Sequence, residues 1–301
     1  MNNLIKLLEE KNIGKVLENE SLKKYNTYKI GGIAKLVVFP DSVEKLVDLL
    51  HIIKDNNIKY KVIGKGSNLI FSSKKFDGII IKLDKLDNIK INGTKVVVGA
   101  GYSLVRLALE TAKRGLSGLE FAAGIPGTVG GSVYMNAGAY KNDIGELIET
   151  IKVIDDNLNI IEMKKEDLDF NYRHSFLQEH KDYICLEVTL NLIEADIYEI
   201  KEKINKRKNK RMETQPLEYP SAGSVFRNPE DIPAGKLIED AGLKGKTIGG
   251  AMVSIKHANF IINYDNATSE DVYNLINYVK EEVKKQTGVE LRQEQEFVNW
   301  E

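Results

Sequence analysis

The sequence has few of the residues that form disulfides, bind zinc or build flexible linkers. Its 301 residues include one cysteine, Cys185, which excludes an internal disulfide, and four scattered histidines, which give no zinc-ligand spacing. Six prolines, beside 42% hydrophobic and 29% charged residues, exclude a collagen-like or wholly disordered chain. We therefore expect a globular protein without a metal site, in a reducing compartment, with about two domains at this length.

The sequence also has almost no net charge and no long apolar run. Lys and Arg number 43 against 44 Asp and Glu, so no overall field attracts nucleic acid or anionic lipid, and a polyanionic ligand must be held by local donors. No run approaches the roughly 18 to 20 apolar residues that cross a bilayer. The first twenty residues carry acidic side chains where a signal peptide has its apolar core. We expect a cytoplasmic protein with neither a membrane nor a nucleic-acid partner.

Hydrophobic periodicity predicts alternating strands and helices along the chain. Strands are predicted at 36–40, 60–63, 78–83, 95–98, 150–156, 182–192 and 259–263. Helices are predicted after the capping residues Ser42 and Ser103, at 195–212, near 234–243 and from Ser269. In the helix at 195–212, Ile197, Ile200 and Ile204 are expected to face inward. A domain boundary is predicted near residues 205–215.

Three glycine-containing segments look like parts of nucleotide-binding fingerprints but do not complete them. Residues 64–66 and 99–101 each read Gly-x-Gly after a predicted strand, yet leucine stands where the third glycine of the dinucleotide pattern belongs. Residues 245–247 end like a P-loop, but Asp240 replaces its leading glycine. Rossmann and P-loop sites are both disfavoured.

Two glycine loops remain as candidate ligand sites. The first glycine loop, residues 64–69, joins a strand to Gly-Lys-Gly-Ser-Asn-Leu, whose backbone N–H groups could approach a phosphate; taken alone it could equally be a hairpin turn. The second glycine loop, residues 118–140, is almost uncharged, with Glu120 as its one charged residue, and buries little side-chain area. Together they predict one extended ligand with a pyrophosphate and a large apolar ring.

Six segments, in order along nearly the whole chain, allow the sequence to be compared with a known family. They are NTYKIGG at 26–32, VIGKGSNLI at 62–70, GLEFAAGIPGTVGGSVYMNAGAY at 118–140, NYRHSFL at 171–177, YPSAGSVFRNP at 219–229 and KHANFIIN at 256–263. Together they closely resemble the UDP-N-acetylenolpyruvoylglucosamine reductases. Arg173 and Tyr219 are only 46 positions apart, so the chain resembles the shorter type, which lacks an extra tyrosine-bearing loop and has a more open active site.

The resemblance implies an α+β flavoprotein of the vanillyl-alcohol-oxidase type. FAD would lie between two subdomains, residues 1–84 and 85–205, and residues 206–301 would form an α+β substrate-binding domain. The implied reaction is the NADPH-dependent reduction of the enolpyruvyl ether of UDP-N-acetylglucosamine to UDP-N-acetylmuramate, a cytoplasmic step in peptidoglycan precursor synthesis, carried out by a monomer. Neither glycine loop contains the histidine or cysteine that a covalent flavin linkage needs, so we expect a dissociable FAD.

Three catalytic residues are carried over from the resemblance. Arg173, which by itself could be an ordinary ion-pairing arginine at a strand end, would hold the substrate carboxylate as its charge rises. Ser224, by itself a loop serine, would donate a proton to the carbanion-like carbon. Glu294 would act as a protonated donor if its surroundings raise its pKa. Because Gln295 and Glu296 stand where the family has Val-Arg, Glu290 and Glu296 remain alternative alignments.

The resemblance also implies binding residues. Those expected at the cofactor are Gly64, Lys65, Gly66, Ser67, Asn68, Leu69, Pro126, Gly127, Thr128, Gly130, Gly131, Ser132, Asn136, Ala137, Gly138 and Arg211. Those expected at the substrate are Tyr172, Arg227 and Asn228. We assign no catalytic role to His257, or to His174, whose position next to Arg173 in a presumed strand would point it to the other face.

Two other functions compete with this interpretation. The first is an FAD-dependent alcohol or sugar oxidase on the same fold, which the resemblance of the C-terminal segments disfavours. The second is a nucleic-acid-binding module that uses the basic stretch 201–211, in which seven of eleven residues are Lys or Arg. Apart from Arg211, this stretch is more simply explained as a solvated helix face.

Overall fold

The computed structural model describes residues 2–301. Its α-helices are α1 Asn2–Glu10, α2 Val43–Asp55, α3 Leu104–Lys113, α4 Val129–Tyr134, α5 Phe176–Glu179, α6 Ile197–Thr214, α7 Ala234–Asp240 and α8 Ser269–Thr287. Over the described range, 2–301, no helix is both long enough and apolar enough to cross a membrane.

The strands are short, with two to eight residues each. They are β1 Gly14–Ser21, β2 Ile33–Pro40, β3 Tyr60–Ile63, β4 Leu69–Phe71, β5 Phe76–Lys82, β6 Ile89–Asn92, β7 Lys95–Gly99, β8 Leu116–Ser117, β9 Gly138–Ala139, β10 Asn142–Asp143, β11 Ile148–Ile154, β12 Ile160–Lys164, β13 Ile184–Asn191, β14 Ile193–Glu194, β15 Thr247–Ile248, β16 Ala251–Val253, β17 Ile261–Asn263 and β18 Glu296–Val298.

Hydroxyl side chains begin several helices where the sequence predicts them. Ser42 Oγ accepts from Lys45 N at 3.2 Å at the start of α2, and Ser103 Oγ accepts from Arg106 N at 3.4 Å at the start of α3. These bonds satisfy N–H groups that have no partner inside the helix. The predicted starts of α2 and α3 are therefore confirmed.

The chain forms two compact units. The first contains the chain up to Glu18 together with residues 36–65 and 77–208. It holds most of a four-stranded sheet, in the order β1-β2-β5-β3, and a five-stranded sheet, in the order β12-β11-β13-β7-β6. Helix α3 buries the predicted face that begins with Leu104 and Leu107 in the core of this unit.

The second unit contains residues 19–35, 66–76 and 209–301. Its core is covered by α8, which buries Val272, Leu275, Ile276, Val279 and Val283, the face that the sequence predicts. A three-stranded antiparallel sheet, in the order β15-β16-β17, and a parallel pair of β4 and β18 complete it. Two early segments of the chain thus belong to this unit, which the sequence did not indicate. The division into three domains at residues 84 and 205 stays a prediction.

Helix α6 differs from its prediction at one position. Ile200 and Ile204 are buried as expected, but Ile197 is 40% exposed. Ile197 is the first residue of the helix, and only the two later isoleucines pack in a small cluster with Ala112. The lysine-rich remainder of α6 is mostly exposed, as a solvated helix face should be.

Candidate active site

The two glycine loops meet within the first unit. A Cβ placed on Gly64 would clash with Thr128 Oγ1, so the backbone of the first loop lies directly against the second. From β5, the ammonium of Lys82 donates to the Gly64 carbonyl oxygen. The side chain of Lys82 is 5% exposed and also pairs with Asp84 Oδ1 at 3.3 Å. Burial lowers the pKa of Lys82, and Asp84 opposes that shift.

Residues 99–104 form backbone hydrogen bonds with the second loop. Gly130 N donates to Ala100 O at 2.9 Å, Val129 N donates to Tyr102 O at 2.9 Å, and Leu104 N donates to Gly127 O at 3.0 Å. Part of the backbone that we expected to lie against a ligand is therefore bonded to protein. A Cβ on Gly101 would clash with the Leu83 carbonyl oxygen, which explains the Gly-x-Gly at 99–101 without a nucleotide.

Gly127 and Gly131 leave open space beside them. Apart from adjacent residues and, for Gly131, the backbone of its own helix, the one described atom within 4 Å of an added Cβ is Ser132 Oγ at 3.3 Å for Gly127 and Thr128 Oγ1 at 3.2 Å for Gly131. Neither glycine needs the left-handed region, because neither has a positive φ. These two positions, rather than Gly64 or Gly130, are where a ligand could approach the loop.

Two polar side chains of the second loop bind the protein itself. Ser132 Oγ donates to Thr128 O at 2.7 Å. The Asn136 amide donates to Asn171 O at 2.8 Å and accepts from Gly145 N at 3.0 Å, and the residue is only 2% exposed. Both side chains therefore stabilise the loop, and the Ser132 hydroxyl could donate to a ligand only if its bond to Thr128 O broke.

Arg173 lies in a tight turn and not at the end of a strand. Asn171 and His174 exchange two backbone hydrogen bonds of 3.2 and 3.0 Å, and Arg173 between them has a φ of +56°. Its guanidinium donates to Gly138 O at 2.8 Å and lies 5.0 Å from the centroid of the Tyr172 ring, which is 52% exposed. The strand argument for His174 was therefore wrong. Its Nε2 lies 3.1 Å from Asp169 Oδ2.

In the second unit the first glycine loop continues against the NTYKIGG segment. Gly66 has a φ of +65°, and a Cβ there would meet Asn26 Cα at 2.8 Å. Thr27 N donates to Gly66 O at 3.4 Å, while the buried Thr27 Oγ1 has no partner among the described residues. Asn68 Nδ2 donates to the Glu294 carbonyl oxygen at 3.0 Å, which joins this loop to the C-terminal segment.

Ser224 and Glu294 lie on neighbouring backbone segments of the second unit. Phe226 and Gln293 form an antiparallel bridge, and Glu294 N donates to Val225 O at 2.8 Å. The next hydrogen bond between the two segments, from Arg227 N to Arg292 O at 2.8 Å, continues this antiparallel register. Two of the three proposed catalytic residues, far apart in sequence, are thus brought together.

The alternative carboxylates occupy different places. The Glu290 side chain is 71% exposed and pairs with Lys284 at 3.3 Å, so it lies at the surface. Glu296 begins β18 and is paired in register with Leu69 of β4. Among the three carboxylates, Glu294 is the one directly bonded through its backbone to the Ser224 segment. This geometry favours the alignment that assigns the role to Glu294.

The remaining candidates lie mainly in the second unit. Arg227 has a buried Nε without an acceptor among the described residues, which suits an anionic ligand. Asn228 Oδ1 accepts from Ala234 N at 3.1 Å at the start of α7, so its oxygen is already used. Arg211 lies in the last turn of α6 and is partly buried.

The structure adds two residues that the sequence interpretation missed. Lys82 is a charged side chain inside the otherwise apolar run Gly-Ile-Ile-Ile-Lys-Leu, and a charge in a buried strand is a signal that could have been used. Thr27 lies in a segment that contributed only to the resemblance and received no role. Its orphaned hydroxyl could be identified only from tertiary contacts.

Comparisons with known proteins show which family this chain resembles. Residues 215–298 match the sequence model of the UDP-N-acetylenolpyruvoylglucosamine reductase C-terminal domain, and residues 34–163 match that of an FAD binding domain. The UDP-N-acetylenolpyruvoylglucosamine reductase of Bacillus subtilis (strain 168) is 44% identical over 299 residues, 99% of each chain. The enzyme of that name from Anoxybacillus flavithermus (strain DSM 21510 / WK1) is 46% identical with the same coverage.

Solved protein structures are also similar to the structure of this chain. The crystal structure of the reductase from Thermus caldophilus has a TM-score of 0.80 and 33% identity, covering 94% of this chain and 98% of that one. Phl p 4.0202, a glucose dehydrogenase, has a TM-score of 0.51 and 15% identity over 65% of this chain and 44% of its own, which shows a shared fold alone. The expected flavoprotein fold and FAD cofactor are confirmed. Since the similarity extends over 99% of the sequence, the chain belongs to the UDP-N-acetylenolpyruvoylglucosamine reductase family.

Proposed function

We propose that this chain uses NADPH to reduce the enolpyruvyl ether of UDP-N-acetylglucosamine to UDP-N-acetylmuramate, with Arg173, Ser224 and Glu294 as its catalytic residues. The observation that carries the assignment is the hydrogen bond from Glu294 N to Val225 O, which brings a hydroxyl-bearing and a carboxyl-bearing segment together. The relatives that bear the name of this reductase support the same reaction.

The reaction requires charge stabilisation and one proton. FAD, when bound, supplies the hydride that NADPH provides. Hydride addition to the vinyl ether leaves negative charge on the carbon that bears the carboxylate, giving an enediolate-like substrate anion. One N–H group of Arg173 binds Gly138 O, and the planar guanidinium has the five-donor geometry that matches a carboxylate.

Ser224 completes the addition by protonating the carbon. A hydroxyl is a weak acid, so it donates readily only to a strongly basic centre such as this anion. Glu294, if protonated, would act as a second donor beside the carboxylate of the anion. Arg227, whose buried Nε has no acceptor among the described residues, is proposed to bind the nucleotide portion of the substrate together with Tyr172 and Asn228.

Observations within each unit, taken separately, support the residues proposed to hold FAD. In the first unit, Gly127 and Gly131 leave space that a Cβ would occupy. In the second unit, the orphaned Thr27 Oγ1 lies beside Gly66 and could donate to an anion. The other glycine-loop positions predicted for the cofactor, together with Arg211, remain part of the proposal.

Replacing Lys82 with Met should weaken FAD binding. Met fills a similar volume, but it removes the charged donor that holds the Gly64 carbonyl. The loss of a hydrogen bond to a charged group is expected to lower FAD affinity by about 10-fold or more. Flavin fluorescence titration of the apoprotein measures this change. The control is Lys95→Met, which removes an exposed ion pair to Glu149; unchanged FAD affinity in Lys82→Met would contradict the role given to this lysine.

Anaerobic absorption spectroscopy tests the proposed reaction. The purified protein should be yellow, NADPH should bleach the flavin, and the enolpyruvyl sugar nucleotide should restore its colour. Restoration by oxygen but not by that substrate would instead support an alcohol or sugar oxidase. A colourless protein with steeply salt-dependent DNA or RNA binding would support the nucleic-acid alternative.

The proposal includes a cytoplasmic monomer that has no nucleic-acid partner. The near-neutral balance of 43 basic and 44 acidic residues supports the absence of general attraction to nucleic acid. The proposed reductant NADPH and the single cysteine both suit a reducing compartment. Sedimentation equilibrium of the holoprotein checks the oligomeric state.

A further inference from the structure

Gln295 is a buried amide that follows the proposed catalytic carboxylate. The residue is 3% exposed, and its side chain hydrogen-bonds to residues of the second unit. Its Nε2 donates to Ala222 O and to Gly223 O, each at 3.0 Å. Its Oε1 accepts from Tyr28 OH at 3.2 Å. One side chain therefore binds two consecutive carbonyl groups on one side and a buried phenol on the other.

Tyr28 orients this amide. Its ring is fully buried, and burial raises the pKa of its hydroxyl, so the phenol stays protonated and remains a donor. The Ala222 and Gly223 carbonyls can only accept, so the amide nitrogen faces them, and the Tyr28 hydroxyl, by donating to the amide oxygen, completes this orientation. Asn263 Nδ2 donates to the Tyr28 carbonyl oxygen at 3.0 Å and holds the backbone of Tyr28 in place.

The two carbonyls belong to the turn that leads directly into Ser224. Gly223 has a φ of +75°, a conformation that other residues rarely adopt, so this turn has a specific shape. On the far side of Ser224, Asn259 accepts from Phe226 N at 3.0 Å and donates to Phe226 O at 2.8 Å. Gln295 thus holds the backbone just before Ser224, and Asn259 holds the backbone just after it.

We propose that Gln295, oriented by Tyr28, is a positioning residue that sets the place of the Ser224 hydroxyl. This inference rests on the proposed role of Ser224 as the proton donor. It gives a function to the NTYKIGG segment, which supplies Tyr28. Gln295 itself does not touch the reacting atoms and acts only through the turn.

The test compares Gln295→Val, Tyr28→Phe and the double variant Tyr28→Phe/Gln295→Val. Gln295→Val leaves the buried Tyr28 hydroxyl without its acceptor and should lower the unfolding temperature. The double variant removes both partners and should recover much of that loss, because an apolar pair can replace a buried polar pair nearly without cost. The double variant still lacks the Gln295 amide nitrogen, which donates to the turn before Ser224.

Stopped-flow kinetics of the holoprotein then separates positioning from stability. Flavin reduction by NADPH should stay within about twofold of wild type in all variants. Reoxidation by the enolpyruvyl substrate should slow about 10- to 100-fold in Gln295→Val and remain slow in the stabilised double variant, as expected when a reacting group is misplaced. Trp300→Phe, which removes the Nε1 bond to Ile70 O and part of the stacking on Tyr273 in the same unit, is the control for general destabilisation and should leave reoxidation unchanged.

A further variant distinguishes this inference from the proposed function. Adding Gln295→Val to Ser224→Ala should slow reoxidation no further, because Gln295 acts only through the hydroxyl that is already missing. An additional loss, or normal reoxidation in the double variant Tyr28→Phe/Gln295→Val, would overturn the positioning role. If Ser224→Ala alone reoxidises normally, the proposed function of Ser224 fails, and the inference fails with it.

Discussion

Ser224→Ala should slow reoxidation of the reduced enzyme by the enolpyruvyl substrate by about 10²- to 10⁴-fold, the usual contribution of a positioned general acid. Flavin reduction by NADPH should remain within about twofold of wild type, because the serine is needed only once the substrate anion forms. Rapid-mixing absorption measurements of the two half-reactions, each started separately under anaerobic conditions, give both rates.

The control for this prediction is Ser221→Ala in the same loop. Ser221 is a partly exposed serine three residues before Ser224, and it precedes the Ala222–Gly223 turn. Its loss should leave both half-reactions unchanged. Equal slowing of both half-reactions in Ser224→Ala, with normal flavin content, would remove Ser224 from the role of proton donor and indicate a general effect on the site.

Gly127→Val should yield a folded protein that has lost its FAD. The nearest atom to a Cβ at Gly127 is Ser132 Oγ at 3.3 Å, so the protein accepts the first added carbon if this hydroxyl shifts by a few tenths of an ångström. A branched side chain would occupy the space where we propose that the cofactor approaches the backbone. The ratio of visible to ultraviolet absorbance of the purified protein should fall to roughly a tenth of that of wild type or less. The unfolding temperature of the apoprotein should remain close to that of wild-type apoprotein.

Two further glycine variants distinguish a ligand effect from a folding defect. Gly130→Ala would place a Cβ 2.8 Å from Ala100 Cβ, so it should lower the unfolding temperature of the apoprotein itself. Gly235→Ala, in helix α7, would make only ordinary contacts of 3.6 Å or more and should keep full flavin content. Full retention of FAD in Gly127→Val would place the cofactor elsewhere.

Local signals predicted much of the secondary structure because their causes are local. A serine cap needs only the N–H groups of the next turn, so Ser42 and Ser103 identify the starts of α2 and α3. The buried face of α8 follows from the helical period. The same reasoning failed for the turn at Arg173, where two hydrogen bonds between Asn171 and His174 require a positive φ.

The sequence by itself determined the family, the cofactor and the candidate catalytic residues, because these depend on motifs that can be recognised in order along the chain. Only the tertiary structure decided which glycines face protein and which face open space, since Gly64 and Gly127 look alike in sequence but differ in their neighbours. It also decided that Tyr28 binds Gln295, 267 positions away. Such contacts are set by burial and backbone register between distant segments, which no local pattern encodes.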